Sequence, residues 1–494
     1  FSKCEETGRY KNFVMAATPS EKNKVEGFTF DDTDVYKTIE GASYSMQTFP
    51  NKKLDKYIDS VLTIVAKAQE PDGYLYTFRT MNPNHTHEWA GTKRWEKEED
   101  LSHELYNLGH MIEGAIAHYQ STGKRNFLDI AIKYADCAVR EVGDKPGQIM
   151  VVPGHQIAEM ALSKLYVLTG EKKYINLAKL LLDKRGYTER KDEYSQAHKP
   201  VLEQDEAVGH AVRAAYMYSG IADVAALTGD KGYIQAIDKI WENIVNKKLY
   251  ITGGIGSQSS GEAFSSDYDL PNDSVYAESC ASIGLMMFAR RMLEMEADSQ
   301  YADVMERALY NTVLGGMALD GKHFFYVNPL EVHPKSLKFN HIYDHVKPVR
   351  QRWFGCACCP PNIARVLTSI GHYIYTQRDD ALFVNLYIGN STEVPVGEQT
   401  LRLRLSGNYP WQDQVKIVID SPDPITHTLA LRLPDWCTNP HIALNGRDVA
   451  GTVKKGYLHI NRTWLEGDTL TLTLPMPVRR VYGNPLVRHV AGKV

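Results

Sequence analysis

The sequence predicts a mainly α protein: a closed toroid of about six helical hairpins followed by an antiparallel β-sandwich module. Three observations predict it. Apolar residues recur at helical spacing from about residue 33 to 375. Within that span a helix-ending Thr-Gly motif returns at a period of roughly 50–60 residues. After about residue 376 the apolar period changes to two.

Residues 1–32 form an N-terminal segment with no assigned element, free to pair with the β module. In 53–69, Leu54, Ile58, Val61, Leu62 and Val65 fall on one helical stripe. Residues 104–120, 126–142, 156–168, 174–182, 208–227, 233–245, 276–295 and 301–314 read the same way. Three links share a plan: Thr122-Gly123 with Phe127, Thr169-Gly170 with Tyr174, and Thr228-Gly229 with Tyr233. The Gly supplies a left-handed cap, and the aromatic opens the next helix. Hairpins repeated in this way bury their faces on neighbours, and about six of them favour a closed ring over an open solenoid. The barrel is expected over 33–375 and the sandwich over 376–494. Its strands alternate at 382–388, 400–405, 414–419, 428–433 and 469–474. Residues 486–494 head towards a further strand, so the sandwich is expected to be incomplete or to borrow strands from 1–32.

Composition excludes several classes. Hydrophobic residues at 43% and charged residues at 23% are those of a globular protein, which rules out a disordered chain. The 494 residues are enough for a large core. A net charge of −4 gives no electrostatic case for nucleic acid or an anionic membrane. Apolar runs such as 284–289 are far below the ~18 residues of a membrane span. The chain opens on Phe1, consistent with a removed leader or with trimming.

Seven cysteines are few, and Cys356, Cys358 and Cys359 lie within four residues. A disulfide framework spreads its cysteines across loops; this cluster points to metal or thiol chemistry. Pro360 and Pro361 follow, just before a helix at 363–373, and a helix start favours a thiolate. Glu278 and Cys280 could complete a set of three sulfurs and one oxygen with Cys358 and Cys359, a donor chemistry that suits Zn2+. Buried inert cysteines are the competing explanation. The loop from Gly253 to Phe264 is not a phosphate loop, because no Lys follows its glycines. It presents Glu262 either to an active-site mouth or to solvent. His103, His110, His155 and His210 fall at or near helix starts, and equivalent hairpin positions would bring them to one funnel. Trp89, Trp95, Tyr326 and Trp353 could wall a sugar site or simply fill the core.

Taken together, Cys-x-Cys-Cys-Pro-Pro-Asn from Cys356, Gly-Glu-Ala-Phe from Gly261, Glu-Ser-Cys from Glu278 and His-Glu-Leu-Tyr-x-x-Gly-His from His103 resemble the β-L-arabinofuranosidases of glycoside hydrolase family 127 and its relative, family 146. The resemblance runs from about Phe28 through the β module, with ends short against the family's extent. It implies an (α/α)6 barrel with β-sandwich modules, and retaining, exo-acting release of L-arabinose from arabinosylated plant cell-wall glycans. It implies Cys358 as nucleophile, Glu262 as acid/base, and Glu278, Cys280, Cys358 and Cys359 as ligands of Zn2+. It implies that His103, His155, His210, Glu306 and Tyr326 grip sugar hydroxyls, and leaves Cys356 without a role. Burial is expected to raise the pKa of Glu262 towards neutrality for acid/base work. A bacterial enzyme of the cytoplasm or periplasm fits. Two rival functions stand beside it: a six-hairpin sugar epimerase or isomerase using histidine acid/base chemistry without zinc, and a carbohydrate-binding protein with a structural zinc.

Overall fold

The Thr-Gly repeat proves to be a local code for three hairpins in the computed structural model, which describes residues 1–378 and 381–493. Gly123, Gly170 and Gly229 end helices Glu104–Thr122, Ala158–Thr169 and Ala211–Thr228 with φ of 72°, 74° and 73°. This left-handed region carries no steric penalty for Gly. Each preceding Thr turns its hydroxyl back onto the carbonyl four residues earlier, at 2.7 Å in all three copies. The aromatics Phe127, Tyr174 and Tyr233 are buried.

Two compact units are present: Phe1–Phe288 with Ala308–Ser369 and Asn484–Val494, and Ala289–Arg307 with Ile370–Gly483. In the first, helix Asp32–Thr48 packs on Glu104–Thr122, which packs on Ala158–Thr169, which packs on Ala211–Thr228. Helix Cys359–Thr368 packs back on Asp32–Thr48. The start of Ser279–Met295 closes the ring: a Cβ on Gly284 would lie 2.8 Å from Ala215, and Cys280 meets Cys359. These helices are apolar nearly all round, as a double layer requires of its inner ring; Leu105 through His118 are all buried. Outer helices such as Lys52–Ala68 bury one stripe, and Ile58, Val61, Leu62 and Val65 each contribute roughly 1.5–3 kcal/mol. Leu54 remains half-exposed. Asn51 caps that helix by accepting from Lys53 N and Leu54 N at 3.1 Å.

Residues 1–32 depart from the sequence expectation. They carry helices Ser2–Glu6 and Arg9–Ala17, not strands, and the second packs against Lys52–Ala68 and Asp32–Thr48. Residues 486–493 are not a strand either. They form a short turn, Arg488–Val490, and Val487 packs with Tyr250, Leu270, Val275 and Ala277. Both departures follow from contacts made far along the chain, which local alternation does not encode.

Among the described residues the second unit holds eleven strands: β1 (Tyr375–Arg378), β2 (Ala381–Val384), β3 (Asn390–Val396), β4 (Gln399–Gly407), β5 (Gln414–Ile419), β6 (Ile425–Arg432), β7 (His441–Leu444), β8 (Arg447–Asp448), β9 (Thr452–Lys454), β10 (Tyr457–Trp464) and β11 (Thr469–Thr473). They form sheets of order β1-β2-β6-β10-β9 and β3-β4-β5-β11-β7-β8. Alternation sets the faces: Leu401, Leu403 and Leu405 are buried while Arg402 and Arg404 are exposed. The buried side chains of both sheets make one core around Trp464. The strand pairs are antiparallel, as expected, apart from β2 with β6, which is parallel. Strand patterning marks faces, not partners. Among the described residues no helix is long and apolar enough to cross a membrane.

Candidate active site

A cavity of about 260 Å³ lies in the first unit, at the small end of ligand pockets. Cys280, Cys356, Cys358, Glu278, Glu262, Tyr326 and the histidines His103, His155 and His210 all line it.

Two helix starts build one wall. Cys358 is the N-cap of Cys359–Thr368, whose first turn takes Pro360 and Pro361 without losing a needed N–H. Glu278 and Cys280 flank the start of Ser279–Met295, fixed by Ser279 N donating to Tyr326 O at 2.9 Å. Cys280 Sγ lies 3.2 Å from Cys359 Sγ and 3.8 Å from Cys358 Sγ. Glu278 Oε1 lies 3.3 Å from both Cys358 and Cys359. All four donor atoms fall within 4.8 Å of one another, and all seven cysteines are free thiols. The group could therefore hold a metal ion.

Electrostatics agree. Burial, then the neighbouring Cys358, pushes the Glu278 carboxyl well above the usual range. Burial and the adjoining thiols do the same to Cys359. Cys280 is also pushed up by burial, but its hydrogen bonding with Cys358 and Cys359 and the charge of Lys37 bring it down to about 7. Four acidic groups this close cannot all ionise without a cation. Tyr326 keeps its proton, because burial holds its pKa well above the ordinary value; its hydroxyl lies 2.8 Å from Cys358 Sγ and can donate to that sulfur as a thiolate.

Glu262 sits on a loop closed by paired hydrogen bonds between Gln258 and Ala263 at 2.9 and 3.0 Å. Its φ of 52° is left-handed, a conformation a non-glycine residue holds only when its surroundings enforce it. His103 at 61° and Ala277 at 40°, beside Glu278, share this feature. Glu262 Oε2 lies 3.0 Å from His210 Nε2. His210 Nδ1 accepts from Val212 N and Arg213 N at 3.2 and 3.4 Å, so its proton is on Nε2 and points at Glu262. His103 Nδ1 meets Leu101 O at 2.8 Å and His155 Nδ1 meets Gln156 O at 3.0 Å. Carbonyls only accept, so both rings carry the proton on Nδ1 and keep Nε2 as an acceptor. The rings form a row, with centroids 6.1 Å apart from His103 to His155 and 5.5 Å from His155 to His210. Burial, then Arg213, depresses His103 to about 3 and His155 well below its ordinary value.

The expected rise of Glu262 is reversed. Burial does push it up, but the hydrogen bond from His210, with those from Tyr276 and Glu278, holds it at about 2. Three donors outweigh desolvation.

Residues 1–372 match the family description β-L-arabinofuranosidase, GH127 catalytic domain, and residues 381–476 match its middle domain. The chain belongs to glycoside hydrolase family 127. A non-reducing end β-L-arabinofuranosidase of Bifidobacterium longum is 39% identical over 503 residues, covering 96% of this chain and 75% of that protein. A solved family 127 β-arabinofuranosidase superposes with a TM-score of 0.94 at 56% identity, over 100% of this chain and 78% of the other. A family 127 β-L-arabinofuranosidase from Geobacillus stearothermophilus T6 gives 0.93 at 46% identity, over 98% and 78%. Membership selects family 127 over family 146 and disfavours the epimerase and binding-protein readings.

The remaining expectations for this family 127 enzyme divide. Trp89 lines the cavity. Trp95 does not: it is buried against Tyr74 and donates to Glu141 at 2.7 Å, as core. Trp353 lies outside the lining, with Arg9 5.8 Å from its ring. His110 is buried beside Tyr106, ring centroids 4.6 Å apart, and does not line the cavity. Glu306 does not line it either; its carboxylate accepts from Tyr409 at 2.8 Å and pairs with buried Arg432. Its local sequence carried no sign of Arg432, more than a hundred residues later. Sequence reasoning missed Lys37, Tyr106, Tyr194, Arg213, Tyr216 and Asn362. Asn362 was within reach of it, four residues after Cys358 in the Cys-Cys-Pro-Pro-Asn run.

Proposed function

We propose that this family 127 enzyme removes terminal β-L-arabinofuranosyl residues from arabinosylated glycans with retention of configuration, using Cys358 as nucleophile and Glu262 as acid/base. The observation that carries this reading is the placement of Cys358. Its sulfur belongs to the four-donor group and also lines the cavity that Glu262 and His210 enter. A pocket of about 260 Å³ suits a single sugar ring, which supports exo action.

The donor chemistry fits Zn2+. Tetrahedral sulfurs at 2.3 Å from zinc stand about 3.8 Å apart, against separations of 3.2, 3.8 and 4.0 Å between Cys280, Cys358 and Cys359. Held by Glu278, Cys280, Cys358 and Cys359, the ion would supply the positive charge that keeps the thiols deprotonated at neutral pH.

The protein's own groups do the rest. Cys358 Sγ bonds to the anomeric carbon as the glycosidic C–O bond breaks, and Glu262 gives its proton to the departing oxygen. In the second step Glu262 takes a proton from water, the water oxygen bonds to the anomeric carbon, and the C–S bond breaks. The first step needs a protonated Glu262. Glu278 lowers Glu262 only while it carries a proton of its own to donate. A Glu278 that ligates a cation is an anion beside Glu262 and no longer donates, which removes one of the three donors that hold Glu262 down. His210 Nε2–H steers the carboxylate, while His103 and His155 offer acceptors to sugar hydroxyls and Tyr326 steadies the attacking sulfur.

The test is Glu262→Gln. Arabinosides with poor leaving groups should lose turnover while aryl arabinosides with acidic phenols keep their first step. Equal losses on both, or none, would remove Glu262 from the acid role.

A further inference from the structure

Lys37 belongs to inner helix Asp32–Thr48, and its side chain is 1% exposed. It nevertheless lines the cavity. Its ammonium has two polar neighbours, the Cys358 carbonyl at 3.5 Å and Asp34 Oδ1 at 3.6 Å, and the Tyr106 ring lies 6.0 Å away. Both polar contacts are long for an N–H donor, and an ammonium has three N–H groups. A buried charge with so little hydrogen bonding is costly unless another oxygen completes its shell.

The carboxylate nearest the lysine is already engaged. Asp34 is shared with Arg9, whose Nε donates to Asp34 Oδ2 at 3.1 Å. Arg9 also pairs with Asp31 at 3.3 Å and donates to Gly355 O at 3.2 Å, one residue before the cysteine run. Arg9, Asp34 and Lys37 thus form a fixed charge line ending beside Cys358. The two histidines across the row, His103 and His155, offer acceptors, so a hydroxyl between these groups can donate to a ring and accept from the ammonium.

We propose that Lys37 is a substrate-binding residue of this enzyme, donating from its buried ammonium to an oxygen of the sugar that occupies the Cys358 cavity. The assignment rests on the reading of that cavity as the arabinofuranosyl site. It makes Lys37 a discriminator: a sugar lacking the matching oxygen leaves a buried cation short of its partner.

Lys37→Met keeps the side chain's length and removes its charge. Binding of methyl β-L-arabinofuranoside, measured by calorimetry in the Glu262→Gln background, should weaken roughly 10- to 100-fold in Lys37→Met. Metal content should stay at the parent level. Monodeoxy arabinofuranosides should identify one hydroxyl whose loss weakens the parent and adds nothing further to Lys37→Met. Unchanged affinity in Lys37→Met, or an equal penalty for every deoxy sugar in both proteins, overturns the proposal. If Lys37→Met does not fold, Lys37→Arg serves: its different donor fork should change the order of preference among the deoxy sugars, and an unchanged order overturns the proposal. A parent that binds no arabinofuranoside overturns the site reading together with this one, whereas a parent that binds it with Lys37→Met unaffected overturns the Lys37 assignment alone.

Discussion

Replacing Tyr326 with Phe removes one hydroxyl and nothing else, which makes it the sharpest probe of how Cys358 is held. That hydroxyl lies 2.8 Å from Cys358 Sγ, close enough to donate to a thiolate there, and 3.6 Å from Cys356 Sγ. The tyrosine is buried, and its ring lines the cavity beside Cys358. A buried hydrogen bond to a charged acceptor is worth about 1.5–3 kcal/mol, which corresponds to a loss of roughly 10- to 150-fold. Because the bond reaches the proposed nucleophile, the loss should fall on kcat/KM for arabinoside hydrolysis and also on the rate at which a small haloacetamide alkylates Cys358. If Tyr326 instead grips a sugar hydroxyl, KM rises and alkylation is untouched. Tyr326→Phe protein with both rates within about two-fold of the parent would refute the reasoning, since that is less than the weakest bond of this kind should yield.

Three further outcomes follow from the same geometry. Glu306→Gln should leave KM for arabinosides within about two-fold while lowering the melting temperature, because a buried pair with Arg432 is broken, at a cost of about 3–5 kcal/mol; a large KM rise would return Glu306 to the sugar site. Stability should fall as pH drops below the ordinary histidine value near 6.5: His103, held at about 3 by burial, refuses a proton that the unfolded chain accepts. That loss is about 2 kcal/mol at pH 5 for His103 alone, and denaturant midpoints equal at pH 5 and pH 7 would contradict it. Chelation should abolish turnover, and adding Zn2+ back should release at least two protons per ion, since Glu278 and Cys359 have pKa values well above the ordinary range and each gives one up on ligation; turnover by metal-free protein, or zinc uptake without proton release, would go against the four-donor site.

Local physics explains which parts of the molecule were legible beforehand. A Thr that bonds back four residues and a Gly that takes the left-handed region act within one turn, so the hairpin ends at Gly123, Gly170 and Gly229 are readable from sequence. Leu401, Leu403 and Leu405 likewise declare their face by alternation. What lay hidden depends on distant partners. Helix Arg9–Ala17 takes its place by packing against Lys52–Ala68, and β2 takes a parallel partner in β6. The acidity of Glu262 is set by His210, Tyr276 and Glu278, which arrive from separate segments, so burial alone gave the wrong direction. Lys37 was invisible for a related reason. It is an ordinary lysine in sequence, and only the inner ring turns it towards Cys358.

The central claim is that Cys358 forms the covalent bond to the sugar. The most direct measurement is peptide mapping by mass spectrometry of Glu262→Gln protein quenched during turnover of an activated aryl β-L-arabinofuranoside, since loss of the base should leave the intermediate to accumulate. The account predicts one pentosyl adduct, on the peptide containing Cys358 and localised to that sulfur. An adduct on a carboxylate, or product of inverted configuration with no adduct at all, would contradict it.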